Sequence, residues 1–296
     1  MNARRAAHWT GACCLLAGLA VAAAAPAGAA TGRSRLPTNA RGTVCTGTEA
    51  TPGVLTGTYP SGVAVTGYCE ADGGAAVVDG TLTIAAGATL DATFAKNDVA
   101  GTGTSSLTVT GGVKVDTGAT LVMGCEPGYM ACSDDPGGTL SRYDHIGGSL
   151  VAKRPLGVVV HATSVAGSVN ESGGGGGLTC ANPASGLFAK IGYGVYSDYE
   201  DDSIGGGFHV SGLQSCWIGI LRNRVTGSFV DSGNTFADPD ANEALQNTVQ
   251  RNITCTGNTP TVQFGDSGAT QNVVTGKASG ECAFTLASGT PVSVKA

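Results

Sequence analysis

The densest group of side chains that could do chemistry in this sequence is an acidic run. It contains Asp198, Glu200, Asp201 and Asp202 within five residues, and carboxylate oxygens at such density are suitable ligands for Ca²⁺. A solvated excursion loop explains the same composition without a ligand. We therefore treat the four carboxylates as calcium candidates, expect the run to lie in a loop, and predict no other metal or cofactor.

A second acidic segment, Asp238 to Glu243, has the opening pattern of a calcium loop. Glu243 stands at the sixth position, where an EF-hand requires Gly, and Val249 stands at the twelfth, where it requires Glu. The segment is therefore predicted to be a turn.

The segment Gly265–Gly268 contains Ser267 in the Gly-Asp-Ser-Gly context of serine-protease nucleophiles. Such a serine needs a histidine base that is oriented by a buried aspartate. No Ala-Ala-His-Cys segment is present, and His161 lies within an apolar run. We predict no catalytic residue and no cofactor-binding residue from these motifs.

Two further features have a composition that could do chemistry. Gly173 to Gly177 are five consecutive glycines without a following Lys-Ser or Lys-Thr, so they predict a flexible excursion and not a phosphate loop. Arg222, Arg224 and Arg251 lie near the acidic run in the repeat frame, as a polysaccharide lyase would require. Only this proximity favours a lyase.

The N-terminus is typical of a secretory signal peptide. Arg4 and Arg5 precede an apolar run from Gly11 to Ala25, and Ala27-Gly28-Ala29 is a small-residue cleavage pattern. Cleavage near Ala29-Ala30 would release a secreted, extracellular protein. No second apolar stretch follows, so membrane insertion is not expected.

Removal of the leader leaves eight of the ten cysteines. An even number in an exported chain indicates disulfides, although eight cysteines allow 105 pairings. Zinc is not favoured because the spacings contain no Cys-x2-Cys and only three dispersed histidines remain. The cysteines are Cys45, Cys69, Cys125, Cys132, Cys180, Cys216, Cys255 and Cys282.

Composition indicates what kind of body must position these residues. The chain has 296 residues with 48 glycines and only 13% charged residues, which disfavours long helices. The hydrophobic fraction of 42% is too high for a disordered chain. A net charge of −6 argues against nucleic acid as a partner.

A repeat of the form x-x-φ-x-Gly-x-φ, where φ is apolar or aromatic, occurs nine times. Eight copies carry the glycine, and Arg251 is the exception. If two long gaps each contain one degenerate copy, the mean spacing is about 22 residues, the size of one solenoid coil. The copies begin at Gly53, Ala76, Leu107, Asp144, Thr163, Asp202, Asn223, Asn247 and Asn272.

Each copy alternates apolar with polar or small residues, as a β-strand does. We predict an all-β, right-handed parallel β-helix of about 9–11 coils with loop excursions, stapled by disulfides. Asp202, Asn223, Asn247 and Asn272 share one repeat position, where a ladder of side chains or a turn is expected. The residues predicted to point inward are Leu82, Ile84, Val113, Val115, Ile146, Leu150, Val165, Val225, Phe229, Ile253 and Val274.

The C-terminal third resembles a family of secreted actinobacterial β-helix proteins. The residues that carry the resemblance are Asn252–Pro260, with the sequence Asn-Ile-Thr-Cys-Thr-Gly-Asn-Thr-Pro, followed by Asn272-Val-Val-Thr-Gly276 and Gly280-Glu-Cys282. The resemblance implies pairing of Cys255 with Cys282 but carries no activity. More loosely, the repeats look like the pectate-lyase type of right-handed β-helix, a fold that hosts many functions.

A solenoid brings residues one coil apart into contact, so we expect cysteines that are neighbours in sequence to pair. The expected pairs are Cys45 with Cys69, Cys125 with Cys132, Cys180 with Cys216, and Cys255 with Cys282. The predicted organisation is a signal peptide at 1–29, a flexible N-terminal segment at 30–44 and a single β-helix domain at 45–296.

These features predict a secreted, noncatalytic structural or surface-interaction protein with an extracellular or cell-wall partner. The alternatives are a carbohydrate-active enzyme, such as a polysaccharide lyase or hydrolase, and a calcium-dependent glycan-binding module. An enzyme should show a groove with convergent carboxylates and a cation. A structural protein should show one smooth face and uneven loops.

Overall fold

A computed structural model describes residues 42–93, 105–125, 144–263 and 271–283, and the backbone of 286–287. In these ranges the chain forms 28 short strands and one five-residue helix. The elements in chain order are β1 (Thr43–Cys45), β2 (Gly53–Tyr59), β3 (Val63–Val65), β4 (Tyr68–Val78), β5 (Leu82–Ile84), β6 (Thr89–Thr93), β7 (Ser106–Val109), β8 (Val113–Val115), β9 (Thr120–Gly124), β10 (Asp144–Ile146), β11 (Leu150–Lys153), β12 (Gly157–His161), β13 (Thr163–Val165), β14 (Val169–Ser172), α1 (Leu187–Ile191), β15 (Tyr196–Glu200), β16 (Ser203–Ile204), β17 (Phe208–Ser211), β18 (Gln214–Ser215), β19 (Trp217–Leu221), β20 (Arg224–Val225), β21 (Phe229–Ser232), β22 (Thr235–Phe236), β23 (Glu243–Leu245), β24 (Thr248–Val249), β25 (Ile253–Thr256), β26 (Val273–Val274), β27 (Ala278–Gly280) and β28 (Leu286–Ala287).

The strands stack in parallel into three long faces. Face 1 is a ten-stranded sheet in the order β1-β3-β5-β8-β11-β14-β17-β21-β25-β27. Faces 2 and 3 form one continuous sheet because the eleven-residue β4 pairs with β6 through its first residues and with β7 through its last. Face 2 then continues through β9, β12, β15, β19 and β23, and face 3 through β10, β13, β16, β20, β24, β26 and β28. The predicted parallel β-helix is confirmed, and the ten strands of face 1 agree with the expected 9–11 coils.

The core runs along the inside of the helix. All eleven residues predicted to point inward are buried, whereas Lys114 is exposed between the buried Val113 and Val115. The described part of the chain contains three disulfides, Cys45–Cys69, Cys180–Cys216 and Cys255–Cys282. Each joins cysteines that are neighbours in sequence. The expected fourth pair includes Cys132, which lies outside the described residues, as do the predicted signal peptide and Ser267.

The glycine of the repeat allows adjacent coils to approach closely. Gly167 N donates to Gly148 O at 2.8 Å, and a side-chain carbon at Gly167 would lie 2.7 Å from that same oxygen. At Gly227 such a carbon would lie 2.6 Å from Gly207 N. A larger residue at these positions would force the coils apart, which explains the glycine signal in the sequence.

The run from Gly173 to Gly177 is packed between coils, so the expectation of a flexible excursion is wrong. Gly175 N donates to Pro155 O at 3.0 Å, and Gly177 N donates to Gln214 O at 2.9 Å. A side-chain carbon at Gly175, where φ is +98°, would lie 2.6 Å from Gln214 O. Glycine is required here for both its conformation and its size.

The segment 178–195, between the glycine run and β15, folds back over the outer surface of face 2. Its helix α1 buries Leu187, Phe188 and Ile191 against Val122 and Val159, which lie on the outer side of that face. Within the described residues, no helix is long and apolar enough to cross a membrane.

Candidate functional site

The acidic run is not a solvated loop throughout, which corrects the prediction from the sequence: Asp198 and Glu200 lie in strand β15, and Asp201 and Asp202 follow it. Along β15, Tyr199 belongs to the core and donates a hydrogen bond to the buried Glu171 at 2.7 Å. Because side chains alternate along a strand, Asp198 and Glu200 point the other way, onto the outer surface of face 2. The prediction of a loop was wrong because the dense charge hides a strand pattern in which Tyr196 and Tyr199 are buried.

The structure separates the four calcium candidates. Asp198 and Glu200 are on the outer surface, whereas Asp201 follows the strand with φ +57° and accepts from Arg222 Nε at 2.8 Å. Asp202 is 1% exposed and accepts from Thr163 N at 2.9 Å. Only the first two remain available to a ligand on the outer surface.

Asp202 belongs to a ladder of buried side chains, as expected from its repeat position. Asn223 Oδ1 accepts from Asp202 N, Asn247 Oδ1 from Asn223 N, and Asn272 Oδ1 from Asn247 N, each at 2.9 Å. Each side chain thus satisfies a main-chain donor of the preceding coil. We call Asp202, Asn223, Asn247 and Asn272 the amide ladder, and its role is structural.

A histidine not predicted from the sequence joins the two outward carboxylates. His161 ends β12 and is in register with Glu200 on the neighbouring strand, and His161 Nε2 lies 3.1 Å from Asp198 Oδ2. One potential ligand atom from each of His161, Asp198 and Glu200 lies within 4.8 Å of the others. We call these three residues the groove cluster. The Nδ1 atom of His161 lies 4.0 Å from Cys125 Sγ.

Asp198 is held in an unfavourable setting for an ionised carboxylate. Burial, with a smaller contribution from the charge of Glu200, raises the pKa of Asp198 to about 7 despite the opposing effects of His161 and Arg222. Its Oδ1 atom is buried and has no hydrogen-bond partner. That atom lies against Gly219 of β19, where any side-chain carbon would overlap it.

Glu200 is paired with the guanidinium group of Arg222. Arg222 Nη2 donates to Glu200 Oε2 and, at 2.7 Å, to Asp201 Oδ2. This double contact fixes the direction of Glu200. Of the three arginines singled out in the sequence, Arg222 is the one whose described contacts reach the acidic run, whereas Arg224 and Arg251 are exposed.

Asp198 and Glu200 of the groove cluster line an open groove of about 410 Å³. Three aromatic rings form one side: the centroids of Tyr193 and Tyr196 are 6.4 Å apart, and those of Tyr196 and Trp217 are 5.7 Å apart. Tyr193 is 68% exposed. The full lining consists of Tyr193, Tyr196, Asp198, Glu200, Cys216, Trp217 and Asp238.

The excursion that carries α1 builds the aromatic side of the groove. The Phe188 ring packs edge-on against Tyr196 with centroids 5.2 Å apart, and the Cys180–Cys216 disulfide ties the excursion to the coil that contains Trp217. On α1 itself, Lys190 Nζ bonds the Tyr68 hydroxyl at 3.0 Å. The groove wall is therefore held by packing, a covalent link and a polar contact.

Asp238 shows what the sequence indicated and what it missed. The segment is a turn, as predicted, in which Asp238 Oδ1 accepts from Asp240 N at 3.0 Å. The same residue lines the groove. The sequence pattern that could have revealed the site is the alternation of Tyr196, Asp198 and Glu200. It places aromatic and acidic side chains on the outer surface of face 2, where neighbouring coils have Val122 and Val159.

Comparison with known proteins adds no relative: no family model, no curated protein and no solved structure matches the chain.

Proposed function

We propose that this protein is a secreted, noncatalytic surface-interaction protein that binds a carbohydrate chain in the groove. The row of aromatic rings beside carboxylates carries the proposal. Sugar rings present C–H faces that pack on aromatic rings, and their hydroxyls donate to carboxylate oxygens. The three disulfides fit an oxidising extracellular setting.

The charge of the groove selects among carbohydrates. Asp198, Glu200 and Asp238 line it, Arg222 is already paired with Glu200 and Asp201, and the chain carries a net charge of −6. A polymer of uronic acids would be repelled. We therefore propose a neutral or amine-bearing glycan of a cell wall as the partner.

Calorimetric titration with soluble oligosaccharides tests this proposal. The probes are cello-oligosaccharide, chito-oligosaccharide and oligogalacturonate. We expect binding of one of the first two, weaker binding of oligogalacturonate, and about tenfold weaker binding after Tyr193→Ala, which corresponds to about 1.4 kcal/mol.

Leu178→Ala is the matched control, since Leu178 is 53% exposed and does not line the groove. Its affinity should equal that of the wild type. Absence of binding to both uncharged probes, or preference for oligogalacturonate, would contradict the proposal.

A carbohydrate-active enzyme is the second candidate, favoured by the convergence of Asp198, Glu200 and Asp238 on one groove. Hydrolysis of a glycosidic bond uses two carboxyl groups on either side of it. Release of reducing ends from the same neutral probes, lost in Asp198→Asn but not in the exposed Asp116→Asn, would replace the noncatalytic proposal.

The motif at Asn252–Pro260 further leads us to propose a secreted actinobacterial origin.

A further inference from the structure

We propose that the groove cluster binds a divalent transition-metal ion of the zinc class, with its remaining coordination positions open to the groove. The ligands are His161 Nε2 and one oxygen each of Asp198 and Glu200. This site does not depend on the proposed glycan, and no feature of the repeat requires these residues.

The spacing of the donors fits one small ion. Zinc binds imidazole nitrogen and carboxylate oxygen at about 2.0–2.2 Å, so neighbouring ligand atoms stand about 3–4 Å apart. His161 Nε2 and Asp198 Oδ2 are 3.1 Å apart, and all three donors fall within 4.8 Å. Small side-chain rotations would bring them onto a common centre.

A second observation points to a ligand. Asp198 is 5% exposed, and its Oδ1 atom has no hydrogen-bond partner. A buried carboxylate oxygen without a hydrogen-bond partner is destabilising, and a bound cation would offset that cost. Gly219 leaves the space beside this atom free of a side chain.

The donor set selects the kind of metal. Imidazole together with carboxylates suits zinc and its neighbours in the transition series, whereas Ca²⁺ takes six to eight oxygen ligands. The Asp201 carboxylate accepts from Arg222 and the Asp202 carboxylate accepts from Thr163 N, so two carboxylates remain for an oxygen-only site. Calcium is therefore disfavoured relative to zinc.

The surroundings leave the site accessible and anchored. Asp198 and Glu200 both line the groove, which gives an ion and its water ligands a path from solvent. Glu200 contacts Arg222 through Oε2, so its other oxygen can turn to the ion while Arg222 holds the side chain. Cys180, Cys216 and Asp238 also lie together, but the two cysteines form a disulfide and offer no thiolate.

Equilibrium dialysis of the tag-free, disulfide-intact protein against Zn²⁺, Mn²⁺ and Ca²⁺ tests the site. We expect one equivalent of Zn²⁺, at least tenfold weaker binding of Ca²⁺, and a Zn²⁺-dependent rise in melting temperature. Asp198→Asn and His161→Gln should each weaken Zn²⁺ binding by tenfold or more. His209→Gln, a change at an exposed histidine of β17, should leave it unchanged.

The two ligand variants keep the test decisive if one of them fails to fold, since Asn has the shape of Asp. No zinc uptake by the wild type, zinc uptake unchanged in Asp198→Asn, or a preference for Ca²⁺ that persists in His161→Gln would overturn the proposal. Failure of the glycan titration would leave these outcomes unaffected, so the two proposals are tested separately.

Discussion

The amide ladder and the groove cluster both contain buried polar side chains, yet their hydrogen bonding differs. In the ladder, Asn247 accepts from Asn223 N at 2.9 Å and donates to Ile220 O at 2.7 Å. In the cluster, Asp198 Oδ1 is buried without a partner. A polar residue that recurs at one repeat position of successive coils satisfies the backbone of its neighbours, whereas a polar residue outside the repeat, such as Asp198, can serve a ligand.

The difference has a physical origin in the two sides of the sheet. The ladder lies at a corner where each coil presents the same main-chain donor to the next, so one side-chain type solves a repeated problem. The groove cluster lies where face 2 is partly covered by the α1 excursion, which carries the single helix of the described residues. Periodicity is therefore a guide to structural polar residues, and its interruption is a guide to functional ones.

The core that supports both regions should give the largest effects. Val225→Asp, two residues after the ladder position Asn223, would bury an unpaired charge in the interior and should lower the free energy of unfolding by several kcal/mol. Val274→Asp and Leu82→Asp should act similarly. Denaturant unfolding measures this, with Lys114→Asp as the tolerated control. Equal losses at inward and outward positions would refute the register.

Removal of one ladder amide should come next in size. Asn247→Ala leaves Asn223 N without its acceptor and Ile220 O without its side-chain donor, so we expect a loss of roughly 2–4 kcal/mol in denaturant unfolding. Asn252→Ala is the matched control: Asn252 is exposed and accepts from Lys277 N at 2.9 Å, where solvent can replace it. A loss below about 1 kcal/mol in Asn247→Ala would contradict the structural role of the amide ladder.

A third prediction uses Glu171, a buried carboxyl on the inner side of β14. Burial raises the pKa of Glu171 from its ordinary value of 4.5 to about 7, against the lowering effect of hydrogen bonds from Tyr199 and Ser197. Below the ordinary pKa of glutamate, both the folded and the unfolded chain hold the proton of Glu171. Between the two pKa values only the folded chain does, so stability should fall as the pH rises and level off above about 7.

The measurement is denaturant unfolding at pH 4 to 8 for the wild type and Glu171→Gln. The variant should have a shallower decline, by up to about 3 kcal/mol over that interval. The variant still contains Asp144 and Asp231, whose burial also raises their pKa to about 7. These two residues therefore still contribute to the fall of its stability with rising pH. A slope unchanged in Glu171→Gln, or a wild type that gains stability over this interval, would contradict the prediction.

The smallest effect is expected at Asp201, the member of the acidic run outside both regions. Asp201→Asn removes the charge that pairs with the partly exposed Arg222, and such pairs contribute about 0–1 kcal/mol. Asn also tolerates the φ of +57° found there. Thermal unfolding should change little, and a loss comparable to that of Asn247→Ala would show that the charge pair supports the fold.

The sequence by itself determined the periodic part of this protein. Alternation along each strand identified the inward positions such as Leu82 and Phe229, and the recurring glycine identified places where coils nearly touch. The repeat spacing also predicted that cysteines consecutive in the sequence, such as Cys45 and Cys69, form disulfides. These are local or one-coil properties, so a repeat of about 22 residues is enough to predict them.

Only the tertiary structure decided the site. His161 and Asp198 are 37 residues apart, and their contact depends on the register between β12 and β15, two strands that the excursion with α1 separates in sequence. The excursion also brings Tyr193 beside Tyr196, which in turn contacts Trp217. Excursions carry no repeat, so the residues that meet where an excursion packs on the coils cannot be derived from the repeat spacing.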